Sequence, residues 1–238
     1  MTEFLQLLIS GLTIGSVYGL VAVGFCMVYN TSGVINFAQG EFVMLGGMTA
    51  AAVAASFGWP VPAALTFAVI AVTLIGLFAE KMTLGLSRKP EVLNLIIVTI
   101  GLAIMIKGLV MMIWGKFPKG LAAFSGEESL AFHGATITPQ ALWVIGIALL
   151  VMAAVGFFLK KSVTGTAMRA AAVDRETAAL MGAPVKRLCT VSFAVAAGIG
   201  ALAGVTITPL TMTSYDHGTI LGLKGFCAAI IGGMGNVY

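Results

Sequence analysis

GTAMRAAAVDRETAALMGAPVKR, residues 165–187, is the only long polar interlude in the second half of a chain that is otherwise strongly apolar there. Its alanines and charged residues over 167–181 favour a helix. Thr166 stands where a cap belongs, Gly182 suits a left-handed stop, and Pro184 forbids continuation. The pattern predicts one helix of about four turns. It is too polar to cross a bilayer and is flanked by apolar runs on both sides. Such a helix either lies on the lipid headgroups or offers something outside the membrane a place to hold.

The residues around it fix the fold class. Of 238 residues, 59% are hydrophobic and 9% are charged, and the mean hydropathy is +1.06. A soluble domain carries roughly a quarter of its residues as charges. The composition therefore demands an all-α, polytopic integral membrane bundle. Residues 1–238 read as a single transmembrane domain with a polar loop at 160–187. Seven spans or part-spans are expected, at 4–29, 41–57, 61–79, 92–114, 139–159, 188–209 and 219–235. Turn chemistry separates them, including 30–33 (NTSG), 58–60 (GWP) and 87–90 (SRKP). The chain stops directly after an apolar run, so further C-terminal span(s) are expected beyond residue 238.

Basic residues orient the bundle. Lys81, Arg88 and Lys89 follow the third span, and Lys160, Lys161, Arg169, Arg175, Lys186 and Arg187 surround the polar stretch. The opposite side has Lys116 and Lys119. Nine against two places residues 160–187 in the cytoplasm and the N-terminus outside. Lys107, inside the fourth apolar run, reads as a lysine that snorkels to an interface.

Several chemistries are excluded or disfavoured. No Gly-x-x-x-x-Gly-Lys-Ser/Thr loop occurs, so the chain does not hydrolyse ATP itself. Residues 198–203 fit a loose dinucleotide pattern but lie mid-span, where Gly200 and Gly204 read as helix-packing residues. Gly11, Gly15 and Gly19 form a packing stripe on the first span, serving this chain or a partner. Cys26, Cys189 and Cys227 lack ligand spacing and read as buried packing residues. Glu127, Glu128, His133, Asp216 and His217 form no metal set and read as solvated loop, so no metal site is expected. No catalytic set of residues is evident, and no basic patch with interleaved aromatics suggests nucleic acid.

Three motifs carry a family resemblance across nearly the whole chain. Residues 169–182 contain R-A-x-A-x-D-x-x-x-A-x-L-M-G, which resembles the cytoplasmic coupling loop of ABC importer permeases. Residues 33–42, GVINFAQGEF, resemble the signature GVINFAHGEF of the branched-chain amino acid permease family, with Gln39 in place of histidine. Residues 222–236, GLKGFCAAIIGGMGN, resemble the family's G-x-K-x-F-x-A-A-x-x-G-G-x-G-S segment, with Asn236 in place of serine.

The resemblance implies the permease subunit of a high-affinity importer for leucine, isoleucine and valine in the bacterial inner membrane. It implies a second homologous permease, two ATPase subunits and a periplasmic substrate-binding protein as partners. This chain binds no cofactor on that reading; the ATPase subunits use ATP and Mg. Arg169, Ala172, Asp174, Ala178 and Gly182 then belong to the coupling element at 165–185. Asn36, Gln39, Glu41 and Lys224 are candidates for the pathway or gate, with Glu41 also suited to a structural place in a helix's first turn. Relatives that move urea, short amides or other small organic acids leave the cargo open. A self-contained ion-coupled carrier or channel is the rival from another class. Carriers usually hold acidic groups at mid-membrane. Here Asp174 and Glu176 lie in the loop, and Glu41 is expected at a boundary.

Overall fold

The computed structural model describes residues 2–83, 92–126, 130–132 and 135–234. Arg88, Lys89, Glu127, Glu128, His133, Gly235 and Asn236 lie outside them. Six helices have the length and apolarity of spans: α1 (Thr2–Ser32), α2 (Gln39–Phe57), α3 (Val61–Thr83), α4 (Val92–Trp114), α5 (Pro139–Lys161) and α8 (Val185–Thr211). Between α5 and α8 lie two short helices, α6 (Val163–Val173) and α7 (Arg175–Leu180). The part-span is α9 (His217–Ile231), and β1 (Leu130–Phe132) pairs antiparallel with β2 (Ala135–Ile137) in the loop before α5.

α2 and α8 form the interior. Their apolar windows are 78% and 72% buried, against 22% for α3 and α4 and 28% for α5. α8 packs on α1, α2, α3 and α5. Small residues make this approach possible. At Gly204 a Cβ would collide with the Val43 carbonyl, and at Gly40 it would fall on the Gly218 carbonyl of α9. Two further contacts bring α2 against α8, at Gly46 beside Ala201 and at Gly200 beside Phe42. The small residues thus allow close crossings of α2 with α8 and α9. Larger side chains fill the space around them: Leu20, Phe25, Phe42, Met44 and Met48 are fully buried.

The two ends of the bundle are distinct. At one end Gln6 of α1 bonds the backbone of Thr136, and Lys119 pairs through its backbone with Thr213. At the other, Arg175 of α7 reaches the C-terminus of α1. The stretch 160–187 therefore shares an end with the start of α8, while Lys116, Lys119 and the N-terminus share the opposite end.

Three expectations need correction. The polar stretch is not one four-turn helix but two, because Asp174 leaves helical geometry with φ −152° and ψ 112° and caps α7. Its start is capped by Ser162 rather than Thr166: the Ser162 hydroxyl accepts from Gly165 N at 2.8 Å, and Thr166 donates back to the Ser162 carbonyl. Cys227 is exposed, while Cys26 and Cys189 are buried. Gly11 and Gly15 have nothing within 4 Å of an added Cβ among the described residues, whereas Gly19 meets Met152.

Candidate functional site

The first candidate element is the α6–α7 bracket. Asp174 Oδ1 accepts from the backbone N–H groups of Glu176 (3.0 Å) and Thr177 (3.3 Å), and Thr177 Oγ1 donates to Oδ2. The Thr177 hydroxyl, followed by its backbone N–H, holds the Asp174 carboxyl below its ordinary range. α7 ends in a Schellman turn: Ala183 N bonds Ala178 O at 2.9 Å, Gly182 N bonds Ala179 O at 3.0 Å, and Gly182 takes φ +90°. Arg169, Ala172, Asp174 and Gly182 are exposed; Ala178 instead turns into the bundle core. Four large apolar side chains on this bracket face outward with no cover from the described residues: Val163, Val173, Leu180 and Met181, each 84–90% exposed.

Arg175 ties the bracket to the bundle. Its Nη1 donates to the Ser32 carbonyl at 2.5 Å and its Nη2 lies 3.6 Å from Cys189 Sγ. Ser32 is the last residue of α1, and Gly33 follows at φ +69°. Nothing in the motif reading singled out Arg175, although its position beside the capping Asp174 makes it the first residue of α7.

The turn after Gly33 leads into the second candidate element. Asn36, Gln39 and Glu41 are 1%, 0% and 2% exposed. Gln39 Nε2 donates to Ala196 O at 2.9 Å, and Asn36 Oδ1 accepts from Ala38 N at 3.1 Å. Asn36 Nδ2, Gln39 Oε1 and Glu41 Oε2 are buried with no hydrogen-bond partner among the described residues. Ala196 lies eleven residues into α8, about 16 Å along its axis. Thus α2 begins inside the bundle, beside the middle of α8, because the α1–α2 turn folds back into the interior before α2 starts and carries Glu41 with it.

The structure separates the four pathway candidates. Glu41 lines a cavity of about 300 Å³ between α1, α2, α4 and α9, together with Phe37, Lys107, Thr219 and Phe226. Gln39 points toward α8 and Gly24 of α1. Lys224 is exposed on α9, 5.5 Å from the Tyr18 ring centroid, and lines a different cavity of about 250 Å³ with His217 and Thr211. Lys107 lies over the Tyr215 ring at 5.6 Å. Gln140, unremarked in the sequence, bridges Phe124 N and Thr206 O inside the bundle at 3.0 and 2.8 Å. Among the described residues no group of three or more His, Cys, Asp or Glu is placed to hold a metal ion.

Six membrane-length helices, a part-span and a polar bracket at one end define a multi-pass helical membrane protein. The family model described as "Branched-chain amino acid transport system / permease component" matches residues 7–238, and the chain belongs to that family. It is 31% identical to the high-affinity branched-chain amino acid transport system permease protein LivH of Escherichia coli (strain K12), over 98% of this chain and 80% of that protein. BraD, the corresponding protein of Pseudomonas aeruginosa, is 30% identical over 99% of this chain and 81% of its own length. A probable branched-chain amino acid transport permease protein LivH of Methanocaldococcus jannaschii is 23% identical over 92% of this chain and 70% of that protein. No solved structure matches the chain.

Proposed function

We propose that this permease component is the membrane subunit of an ATP-driven importer for leucine, isoleucine and valine, seated in a bacterial inner membrane with the N-terminus outside. ATPase subunits using ATP and Mg grip the α6–α7 bracket, a second homologous permease completes the pathway, and a periplasmic binding protein delivers cargo. The observation that carries this reading is the capped bracket presenting Val163, Val173, Leu180 and Met181 outward at the polar, basic end of the bundle. Exposed apolar groups on a polar element mark a surface that a protein or the lipid headgroups cover, and the likeness of residues 169–182 to a coupling loop favours a protein. Arg175 then links that interface to the end of α1 and so to the buried turn carrying Asn36 and Gln39, which act near the inner gate. Sequence similarity to the named permeases supports the cargo.

The carrier reading gains one observation, the burial of Glu41 inside the bundle. It leaves the outward apolar bracket unexplained. The test is reconstitution: the tagged chain should co-purify with ATPase subunits, and liposomes should take up leucine only with ATP inside. Uptake driven by an ion gradient without ATP refutes the importer.

A further inference from the structure

Two cavities adjoin along α1 and make one groove. The first, about 290 Å³, starts at the end of the bundle that holds Gln6 and Thr136. The second, about 250 Å³, runs on between α1, α8 and α9 to Lys224. Ile14, Ile207 and Thr211 line both. The hydroxyls of Thr13 and Thr211 donate to carbonyls of their own helices, so these side chains could face lipid without loss. The charge on Lys224 could not. Its Nζ lies 5.5 Å from the centre of the Tyr18 ring, and Tyr18 is about midway along α1, roughly 21 Å before Ser32. A lysine stem is too short to carry its charge from there to either membrane surface. The ring face offsets part of the cost of burial, but a charge at that depth faces water or protein rather than hydrocarbon. His217 stands two turns before Lys224 and lines the same cavity. No described carboxylate lines either cavity, and Asp216 accepts instead from Ser214 Oγ at 2.5 Å. The deep end of the groove therefore presents donors and positive charge to whatever fills it.

We infer that this groove is the outer half of the solute path, filled with water, and that Lys224 at its deep end draws in a carboxylate or similar anionic group. A fixed positive charge between apolar walls raises the local concentration of anions. The inference rests on the import reading, in which the second permease supplies the wall that the groove lacks. It places the outer path on the side of α1 that faces α9, with Tyr18 and Lys224 as its floor.

Thiol labelling of the assembled transporter in intact cells tests it, in a Cys227→Ser background. Ile14→Cys and Ile220→Cys, at positions 41% and 51% exposed on the groove, should react with sulfonatoethyl methanethiosulfonate, an anion that does not cross membranes. That reaction should stop uptake. Ile70→Cys, at a position 56% exposed on α3, should not react, because lipid covers it. Relative to a free thiol, Ile220→Cys should favour the sulfonate reagent over its trimethylammonioethyl counterpart about tenfold. Lys224→Arg should keep that preference and Lys224→Gln should remove most of it. No reaction at Ile14→Cys and Ile220→Cys from either side of the membrane overturns the proposal, as does equal reaction at Ile70→Cys. Labelling that leaves uptake intact, or a preference that survives Lys224→Gln, overturns it too. Reaction only in inverted vesicles rejects the orientation of the import reading and keeps the groove as a path. Uptake that needs no ATP, with labelling as expected, rejects the importer alone.

Discussion

Arg175 joins the bracket to the bundle through one charged hydrogen bond to the end of α1. Such a bond is worth more than a neutral one, and its loss strands the last carbonyl of α1. Arg175→Ala should lower leucine uptake about tenfold while ATPase subunits stay attached, since the guanidinium faces the bundle. Arg175→Lys should recover only part, because a point charge cannot span Ser32 and Cys189 together. Parental uptake in Arg175→Ala would remove the link. Asp174 acts differently, as the cap of α7. Asp174→Asn keeps a capping oxygen and should retain ATPase attachment, whereas Asp174→Ala should weaken it. The lowered carboxyl sets the sign with pH. Its stabilisation is fully present above the ordinary value of 3.8 and is lost as pH falls through the lower folded value. Attachment measured by pull-down should therefore not vary with pH between about 5 and 8 through this group. For Asn36 and Gln39, alanine at both positions should change uptake rate but not the binding protein's affinity for leucine. Failure to assemble would make them structural, consistent with the bond from Gln39 to Ala196.

At the scale of the element, the bracket is where sequence reasoning partly failed. Residues 167–181 contain no Pro or Gly, and alanine propensity alone carries a helix straight through Asp174. Aspartate is also among the strongest N-caps, and here the cap outweighs propensity, so the chain bends and restarts. The stop was legible because Gly182 and Pro184 constrain the backbone itself. The spans were legible to within a few residues for the same reason: apolar length is a local property. The depth of α2 was not, because it follows from where α2 meets α8, through Gln39 and Ala196. Nor was the placing of Glu41 and Lys107 on the wall of one cavity, which brings together residues 66 positions apart. Gly182→Val tests the stop. A β-branched residue resists φ +90°, so α7 should lose its Schellman turn and present its apolar face wrongly. The variant should express normally, bind less ATPase and lose substrate-stimulated hydrolysis; normal transport would show that this turn is not part of the coupling element.

For the whole molecule, the decisive quantity is which end of the bundle faces the cytoplasm. The fold already gathers Lys81 at the end of α3, Lys160 and Lys161 at the end of α5, and the bracket with its Arg169 and Arg175 at one end. Lys116, Lys119 and the N-terminal turn of α1 gather at the other. This spatial grouping is independent of the loop count made from sequence, since it rests on contacts between α1 and α7 and between α1 and β2. Basic residues favour the cytoplasmic side by retention during insertion, so the bracket should face inward, where ATP is. Two exposed positions report the two ends. Val173 is 90% exposed on the bracket and Phe117 is 84% exposed after α4, so cysteine at either should be accessible without disturbing packing. In intact cells a membrane-impermeant thiol reagent should label Phe117→Cys and spare Val173→Cys, with Cys227→Ser as background. Membranes opened and stripped of ATPase subunits should make both reactive, which separates burial from sidedness. If Val173→Cys is labelled in intact cells, the bracket lies outside the cell and cannot meet an ATP-hydrolysing subunit. The apolar face of α6 and α7 would then have to serve a partner on the outer surface instead.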